Sequence, residues 1–294
     1  MKKIIEKAAV LIEALPYIQS FKNKIVVIKY GGSVMVNNDL AESVLRDVVF
    51  MAAVGMKPIL VHGGGSRISD KMKEVGKTPQ FEDGLRVTDE ETMQIVKGVL
   101  LEVNKEIVKI IESFGGVGEP LLEIIETQKQ YLYKENKTSG KKERLDIGYV
   151  GDIVDIVNEK IFNKLAKGVI PVVPPVGIGS DRHDYNVNAD LAASAIAGAV
   201  KAEKLVFISD VPGILVNPQD ESSLMATLSE DEVENLVEKK VISGGMLPKI
   251  KAGICALDGG VHKTHIIDGR LMHSLLLEIF TDKGVGTQII KEKE

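Results

Sequence analysis

The sequence predicts an α/β fold in which a mostly parallel sheet is covered by helices on both faces. Short continuous apolar runs, such as "KIVVIKY" and "MKPILVH", alternate with stretches whose apolar residues recur at helical spacing. Glycines or polar residues follow these runs repeatedly, at Gly31–Gly32, Gly63–Gly65, Gly177–Gly179 and Ser209–Asp210. Ligands of such folds bind beyond the carboxyl ends of the strands, so these positions are the first candidates for a site.

The first half of the chain supplies a helix and then two units of strand, glycines and helix. The N-terminal helix has apolar residues at helical spacing, namely Ile4, Ile5, Ala8, Leu11, Ile12 and Leu15. We expect this helix to end near Pro16. The strand "KIVVIKYGG" precedes the helix "LAESVLRDVVFMAAVG", and "MKPILVHGGG" precedes "SRISDKMKEVG". A long helix, "DEETMQIVKGVLLEVNKEIVKIIESFGG", follows with Thr88 or Asp89 as its N-cap.

The second half begins with a mixed segment, residues 115–155, which we interpret as a β-rich insertion of hairpins. Strand and helix then alternate again. The order is the strand "KGVIPVVPPVGIG", the helix "NADLAASAIAGAVKA", the strand "EKLVFISDVPGIL", two helices separated at Gly244–Gly245, the strand "HKTHIIDG" and the helix "MHSLLLEIF".

Composition excludes several classes of protein. The chain has 294 residues and is 44% apolar, enough for one large α/β domain or two lobes. Its net charge is −5, and it has no basic block interleaved with aromatic residues, which argues against nucleic-acid binding. No apolar run has transmembrane length and the N-terminus is not typical of a signal peptide. We therefore expect no membrane association.

Cys255 is the only cysteine, so no intrachain disulfide can form. A reducing, cytoplasmic location fits this usage. We expect Cys255 to be a small buried residue on a helix rather than a nucleophile.

The stretch "VHGGGS", residues 61–66, raises the alternative of a hydrolase, because His-Gly-Gly-Gly builds the oxyanion hole of lipases and esterases. Such an enzyme also needs a Gly-x-Ser-x-Gly elbow, and the sequence contains none. The common phosphate motifs, the P-loop and Gly-x-Gly-x-x-Gly after a strand, are missing as well. If this chain binds a phosphate group, it must do so with a different arrangement of residues.

Charged and polar residues at the strand ends favour phosphoryl transfer when they are taken together. Lys29 precedes Gly31–Gly32, Lys249 follows Gly244–Gly245, and Arg86 lies in "GLRVTD". "YNVNAD" groups two asparagines with Asp190. Lysines, backbone N–H groups and helix N-termini all stabilise charge on a transferring phosphoryl group. For Asp190 alone, a helix N-cap is the alternative.

Seven stretches in this order resemble the amino-acid kinase family over essentially the whole chain. They are "VIKYGGS", "VHGGGS", "GLRVTDEET", "PVGIGSDRHDYNVNADLAA", "ISDVPGIL", "SGGMLPKIKAG" and "HIIDGRLMHSLLLEIFTDKGVGTQI". The similarity is greatest to the members that act in arginine biosynthesis. It implies a three-layer α/β/α sandwich around a mostly parallel, about eight-stranded open sheet.

The implied activity is ATP-dependent phosphorylation of the γ-carboxylate of N-acetyl-L-glutamate to N-acetyl-L-glutamyl 5-phosphate. A single kinase domain would span residues 22–294. Its N-lobe, about 22–180, would bind acetylglutamate and its C-lobe, about 181–294, would bind ATP. Mg²⁺ would be held mainly by the ATP phosphates, with few or no protein ligands.

The resemblance also assigns roles to individual residues. The catalytic group would be Lys29, Lys249 and Asp190, with Asp190 holding the two lysines. The substrate would be bound by Gly64, Gly65, Arg86, Asn186 and Asn188. The nucleotide and its phosphates would be bound by Gly31, Gly32, Ser209, Asp210, Gly244, Gly245 and Lys249. Within "VHGGGS", we expect Gly63–Gly65 to present N–H groups to the anion and His62 to be structural.

Two alternatives remain open. Another kinase of the same fold would act on aspartate, glutamate, carbamate or UMP. A non-catalytic arginine-sensing protein is the second. In addition, the segment 115–145 departs from the glycine-rich pattern that the family has after its long helix, which leaves the acyl specificity open.

The N-terminal helix, residues 1–21, resembles the oligomerisation helix of arginine-inhibited hexamers in this family. It implies a homohexamer built as a trimer of dimers, with L-arginine as feedback inhibitor. The candidate effector residues are Tyr17, His265, Glu278, Gly284 and Gly286, with Glu278 pairing the guanidinium. A nitrogen-regulatory protein of the PII type is a further possible partner.

Overall fold

A computed structural model describes residues 2–35, 37–135, 142–217, 219–242, 244–281 and 284–292, without the side chains of residues 2–8, 10, 11, 33 and 135. The α-helices in these ranges are α1 (Lys2–Phe21), α2 (Asn38–Ala53), α3 (Gly65–Glu74), α4 (Glu90–Ser113), α5 (Asn158–Ala166), α6 (Ala189–Ala199), α7 (Glu230–Glu238), α8 (Met246–Asp258) and α9 (Ser274–Ile279). None of these described helices is long and apolar enough to cross a membrane.

Eight strands form the main sheet, in the order β12-β14-β13-β11-β1-β2-β8-β5. Neighbouring strands are parallel except at β13 and β14. The described strands are β1 (Ile25–Tyr30), β2 (Lys57–His62), β3 (Phe81–Glu82), β4 (Leu85–Arg86), β5 (Gly118–Pro120), β6 (Ile125–Glu135), β7 (Lys142–Ile156), β8 (Ile170–Val173), β9 (Val176–Gly179), β10 (Asp184–Asn186), β11 (Lys204–Ser209), β12 (Thr227–Ser229), β13 (Lys263–Asp268) and β14 (Thr287–Ile290).

Alternation along the strands divides the core into two layers. In the central strand β1, Val26 and Ile28 pack with α2, α3, α4 and α9, whereas Val27 packs with α5, α6 and α8. Successive side chains of a strand point to opposite faces, so both faces of a sheet with apolar runs can be covered. The expected three-layer sandwich with about eight strands is therefore confirmed.

The predicted β-rich insertion, residues 115–155, supplies two strands, β6 and β7, of a small closed barrel beside the sheet, whose order is β10-β7-β6-β9. The other two barrel strands, β9 and β10, come from the following segment, and β5 joins the main sheet. β6 and β7 pair as a long antiparallel hairpin, and residues 136–141 at its tip lie outside the described part of the chain. The atypical segment 115–145 thus supplies β5, β6 and the start of β7.

The N-terminal helix does not end at Pro16, contrary to the expectation, but continues to Phe21. Proline lacks one N–H donor, yet its fixed φ is compatible with a helix, so it removes one hydrogen bond without stopping the chain. The end of α1 is tied to the domain, since Phe21 packs on the core and the Lys204 ammonium lies 5.2 Å above its ring. Ile12 is 69% exposed and Leu15 is 43% exposed.

The expectation that Cys255 is buried is wrong. Cys255 lies on α8, as predicted, but it is exposed. The buried face of α8 contains Ala252 and Ala256, whereas Lys251, Cys255 and Asp258 recur along the opposite face. A small residue can occupy either face of a helix, so residue type alone did not identify the side.

Candidate active site

Three residues from distant parts of the chain meet at the carboxyl end of the sheet. The Nζ atom of Lys29, on β1, lies 3.0 Å from Oδ1 of Asp190, on α6. The Nζ atom of Lys249, on α8, donates a hydrogen bond of 2.9 Å to Oδ2 of the same carboxylate. One carboxylate therefore orients two ammonium groups, which is the arrangement that the resemblance implies.

The fold explains why these three side chains converge. Lys29 shares the face of β1 that carries Val27, the face covered by α6 and α8. Asn188 is the N-cap of α6, and its Oδ1 accepts hydrogen bonds from the N–H groups of Asp190 (2.9 Å) and Leu191 (3.1 Å). The alternative of Asp190 as the cap is therefore wrong. Asp190 lies in the first turn, where the helix dipole also favours its negative charge.

Burial and mutual charge shift the pKa values of this cluster. Burial lowers the pKa of the Lys29 ammonium group, and repulsion from Lys249 adds to this effect against the attraction of Asp190. Burial alone would raise the pKa of Asp190, but the two lysines outweigh it and hold the pKa below its usual value. The carboxylate is ionised at neutral pH and can keep both lysines in place for an anionic ligand.

The glycine turn after β1, Gly31–Gly32, leaves space for the side chain of Lys29 at the end of the strand. A Cβ atom at Gly31 would lie 3.1 Å from Nζ and 3.3 Å from Cε of Lys29. Gly32 has φ of +72°, a left-handed conformation that favours glycine, and it begins a short 3₁₀ helix. Glycine is thus favoured at position 31 by the space that Lys29 occupies and at position 32 by the backbone conformation.

In the glycine turn after β2, Gly63–Gly65, the N–H group of the first residue is not placed as predicted. The Gly63 N–H donates to the carbonyl oxygen of Tyr30 at 2.8 Å, so it is not presented to a ligand, and the expectation for Gly63 is wrong. The turn crosses from β2 to α3, where the N–H groups of the first turn have no acceptor within the helix. A Cβ atom at Gly64 would lie 2.8 Å from Cδ2 of Leu100, so a larger residue there would have to displace that side chain.

His62 is structural, as expected, and it holds this second turn. Burial lowers its pKa to about 4, so the imidazole is neutral at physiological pH. Its Nδ1 lies 2.9 Å from the Gly63 carbonyl oxygen, and its Nε2 lies 3.1 Å from Nδ2 of Asn104. This network assigns the proton to Nδ1, with Nε2 accepting from Asn104.

Arg86 lies on the β3–β4 hairpin and is 7% exposed. Its Nη2 donates to the Gly65 carbonyl oxygen (3.0 Å) and to Oγ of Ser69 (2.8 Å), and its Nη1 donates to the sulfur of Met72 (3.2 Å). Burial lowers the pKa of the guanidinium, and no carboxylate of the described residues counteracts this shift. The charge of Arg86 is therefore not paired by an acid of the described chain.

A cavity of about 460 Å³ connects these groups. Asn186, on β10, faces it and donates from Nδ2 to Oγ1 of Thr88 at 3.2 Å. Asn188 lines it too, although its Oδ1 is occupied by capping. The walls are Lys29, Gly32, Met35, Gly63–Ile68, Phe81, Gly84–Arg86, Leu100, Val150, Pro175 and Asn186–Asp190. Lys29, Asp190 and Arg86 thus line one space, and Lys249 is joined to it through its hydrogen bond to Asp190.

None of the predicted nucleotide residues lines the second cavity, of about 330 Å³, and Gly32 lines the first cavity. The walls of the second cavity are Val211–Leu215, Glu221, Val241, Ile242, Met246 and Arg270. Ser209 is buried at the end of β11 and donates to Oδ1 of Asp210 at 3.4 Å. Gly244 has φ of +58°, and Gly245 precedes α8 without a side-chain cap. In the first turn of α8 the Leu247 N–H donates to the Gly244 carbonyl oxygen at 3.2 Å, and Pro248 has no N–H to offer.

The five candidate effector residues surround a third cavity, of about 610 Å³. Oε1 of Glu278 lies 2.6 Å from Nδ1 of His265, and Oε2 accepts from the N–H groups of Val285 (2.7 Å) and Gly286 (3.1 Å). Burial would raise the pKa of Glu278, but these hydrogen bonds hold it below its usual value. Burial lowers the pKa of His265 to about 4. The cavity therefore contains an ionised carboxylate, and Tyr17 and Gly284 complete the predicted set.

Several wall residues were not predicted. Lys204 lines the third cavity, and burial lowers the pKa of its ammonium group to about 8. Lysines are common at the start of strands, so the sequence pattern did not distinguish Lys204 as a residue of a site. Phe81 covers Arg86, with the ring centre 4.7 Å from Cζ, and Met246 and Arg270 line the second cavity. Whether these three residues reach a cavity wall depends on how their loops pack in the folded chain, and residue type alone does not show this.

Comparison with known proteins identifies the family of this chain. The model of the amino acid kinase family matches residues 24–268. Acetylglutamate kinase of Heliobacterium modesticaldum is 50% identical, over 99% of this chain and 100% of that protein. Acetylglutamate kinase of Aquifex aeolicus is 48% identical, over 99% of this chain and 100% of that protein.

Solved structures have the same fold. N-acetylglutamate synthase from Neisseria gonorrhoeae, complexed with coenzyme A and N-acetyl-glutamate, superposes with a TM-score of 0.85 at 26% identity, over 98% of this chain, which spans 64% of the synthase. Carbamate kinase from Giardia lamblia bound to AMP-PNP gives a TM-score of 0.67 at 14% identity, over 92% of this chain and 99% of that one, and shows the fold alone. The chain belongs to the amino acid kinase family, among its acetylglutamate kinases.

Proposed function

We propose that this chain transfers the γ-phosphoryl group of MgATP to the γ-carboxylate of N-acetyl-L-glutamate and forms N-acetyl-L-glutamyl 5-phosphate, the second step of arginine biosynthesis. The observation that carries the proposal is the carboxylate of Asp190 between Lys29 and Lys249, in the cavity that also contains Arg86. Relatives named acetylglutamate kinase, 48–50% identical over nearly the full length, support the same activity.

The charges of the first cavity match a substrate with two carboxylates and no ammonium group. Among the described residues that line it, Asp190 is the only acid, and its two oxygens already contact lysines. A free α-ammonium group would meet no counter-charge there, whereas an acylated nitrogen is neutral. In our proposal Arg86 binds the α-carboxylate as a planar fork, and Asn186 and Asn188 bind the amide. Gly64 and Gly65 contribute N–H groups.

The proposed mechanism needs no strong general base, because a substrate carboxylate is already ionised at pH 7. The chemical task is to hold two anions together while charge spreads over the transferring phosphoryl oxygens. In the proposed complex Lys29 and Lys249 stabilise that charge, Asp190 fixes both ammonium groups, and Gly31 and Gly32 approach the phosphoryl group through their backbone.

The nucleotide is proposed to occupy the second cavity, with its phosphates reaching the start of α8. Ser209, Asp210, Gly244 and Gly245 adjoin this cavity in sequence. No group of three or more histidine, cysteine or acidic side chains with the geometry of a metal site occurs among the described residues. Mg²⁺ is therefore proposed to enter as part of MgATP, held on phosphate oxygens. The division into lobes 22–180 for acetylglutamate and 181–294 for ATP is part of the same proposal.

The decisive experiment measures ATP consumption by the purified full chain with acetylglutamate, glutamate, aspartate, carbamate or UMP as acceptor. We expect turnover with acetylglutamate and at most traces with the others. Turnover with another acceptor would assign a different kinase of this fold. No turnover with any of them would favour a binding protein without catalysis.

Regulation by L-arginine is proposed for the third cavity. A planar carboxylate, Glu278, lies in its wall beside the N-terminal helix, and it is ionised and matches a guanidinium. The N-acetylglutamate synthase from Neisseria gonorrhoeae has also been solved complexed with coenzyme A and L-arginine, with a TM-score of 0.76 and 27% identity to this chain. The exposed Ile12 and Leu15 of α1 support a role of residues 1–21 in a homohexamer.

The test of regulation repeats the assay with millimolar arginine and measures the mass of the assembly with and without residues 1–20. Unchanged activity in arginine, together with an unchanged assembly after truncation, would refute this part. A cytoplasmic location belongs to the same proposal and fits the exposed free thiol of Cys255. Binding of a PII-type protein is a further hypothesis, for which a pull-down with that protein is the test.

A further inference from the structure

We propose that Ser69 and Met72 are positioning residues that hold the Arg86 guanidinium in an uncharged cradle, so that its full charge is left for the substrate carboxylate. The inference rests on the proposed role of Arg86 and extends it to two residues of α3 that no resemblance assigns. Neither side chain needs to touch the substrate for this role, since both act through Arg86.

The cradle is one face of α3. Gly65, Ser69 and Met72 follow the spacing i, i+4 and i+7, which places them on the same side of an α-helix. The guanidinium of Arg86 lies across this side and donates to all three, through Nη2 to Gly65 and Ser69 and through Nη1 to the Met72 sulfur. The helix therefore fixes the plane of the guanidinium as well as its place.

Ser69 connects the arginine to the glycine turn. Its Oγ accepts from Arg86 Nη2 at 2.8 Å and donates to the Gly65 carbonyl oxygen at 3.0 Å. That same carbonyl oxygen accepts from Arg86 at 3.0 Å. The two groups proposed to bind the substrate, Arg86 and the Gly64–Gly65 backbone, are thus joined by one hydroxyl.

Met72 supplies an acceptor without charge. It is 1% exposed, and its sulfur lies 3.2 Å from Arg86 Nη1. A thioether is a weak acceptor. A buried carboxylate at this position would instead pair the guanidinium and compete with the substrate. The ring of Phe81 covers another side of the guanidinium, and it too is uncharged.

The test compares variants that remove an acceptor with variants that restore it. Ser69→Ala and Met72→Leu remove the hydroxyl and the sulfur, whereas Ser69→Thr and Met72→Gln retain an acceptor at similar size. We expect the KM for acetylglutamate to rise about three- to tenfold in each of the first two, because a hydrogen bond to a charged group is lost. The KM for ATP and kcat should change less than about twofold.

Binding and stability measurements separate positioning from simple packing. Calorimetric titration of acetylglutamate into the full chain should give the same fold-loss as KM, and the Thr and Gln variants should recover most of it. Met51→Leu is the matched control, because Met51 is a fully buried methionine of the same core on α2. It should leave the KM unchanged, and thermal unfolding shows whether each variant is folded.

Two results would overturn the proposal in distinguishable ways. If Arg86→Gln raises the KM for acetylglutamate while the double variant Ser69→Ala/Met72→Leu does not, the cradle has no positioning role although Arg86 binds substrate. If Arg86→Gln itself leaves the KM unchanged, the assignment of Arg86 fails and the cradle with it. Equal losses in Met72→Leu and Met72→Gln would also overturn it, since side-chain shape would then explain the effect.

Discussion

The ammonium group of Lys29 lies 3.0 Å from a carboxylate oxygen of Asp190, and Lys249 contacts the other oxygen of that carboxylate. This geometry makes Asp190 the common support of both lysines. Removing its charge leaves two ammonium groups close together in a poorly solvated site, where each disfavours the charge of the other.

We therefore expect Asp190→Asn to lower kcat by about 10²-fold or more, because both proposed stabilisers lose their orientation. Stability should fall as well, by about 3 kcal/mol, since a buried ammonium group loses its ion-pair partner. A coupled ATPase assay and denaturant unfolding measure the two effects. Asp184→Asn is the control, because it breaks a half-exposed ion pair with Lys97 that is worth at most about 1 kcal/mol.

A second prediction concerns Lys249. The substitution Lys249→Ala should lower kcat by about 10²- to 10³-fold, with a smaller change in the KM for acetylglutamate, if the ammonium group acts mainly in the transition state. Lys251→Ala removes an exposed lysine of the same helix and should behave as wild type. Near-wild-type turnover of Lys249→Ala would refute the mechanism.

The glycine at position 31 gives a third prediction. A Cβ atom there would lie 3.1 Å from Nζ of Lys29, so Gly31→Ala should displace the ammonium group by a few tenths of an ångström and lower kcat about tenfold. Gly98→Ala is the control, because Gly98 lies in α4 with open space around it, and alanine there should add up to about 1 kcal/mol of stability. Equal kcat values for the two variants would contradict the steric argument.

Much of the fold follows from the sequence because strand and helix have different apolar periods. The sequence also places Lys29 at the edge of the sheet where the parallel strands end. The pairing of Lys29 with Lys249 came from the family resemblance, because Lys249 lies on α8 and not at the end of a strand. The roles of the individual residues at that edge are harder to predict from the sequence. Asn188 and Asp190 are equally good N-caps by residue type, and only the backbone shows that Asn188 is the cap.

Other features depended on tertiary contacts that no local pattern encodes. Pro16 was expected to end α1, but the continuation to Phe21 is compatible with the φ of proline and is secured by packing. The hydrogen bond from the Gly63 N–H to Tyr30 joins two strand ends that are neighbours only in the sheet. The cradle of Arg86 requires the β3–β4 hairpin to dock on α3, which residue spacing alone does not specify.

The buried carboxylate of Glu278 provides a fourth prediction. Glu278→Gln keeps the shape of the side chain but removes the charge proposed to pair with a guanidinium. We expect the arginine concentration for half-inhibition to rise about 30-fold or more, since a buried charged pair is lost. The measurement is the ratio of activity with and without arginine in the same variant. An unchanged half-inhibition concentration would exclude Glu278 as the arginine ligand.

The fifth prediction concerns stability at acidic pH. Burial lowers the pKa of His62 and of His265 to about 4 in the folded state, whereas an unfolded histidine titrates near 6.5. Between these values the unfolded chain binds more protons. The stability that each neutral histidine contributes is therefore fully present above about pH 6.5 and is lost as the pH falls toward 4.

For His62 the expected loss is about 3 kcal/mol over this interval, or about 1.4 kcal/mol per pH unit in its middle. In His62→Gln the free energy of unfolding should fall less with decreasing pH, by the contribution of that one histidine. The variant should also be less stable than the wild type at pH 7. His262→Gln is the matched control, since that side chain is 67% exposed. Urea unfolding between pH 4.5 and 7.5 measures all three proteins. Parallel profiles for the wild type and His62→Gln would mean that burial does not lower the pKa of His62.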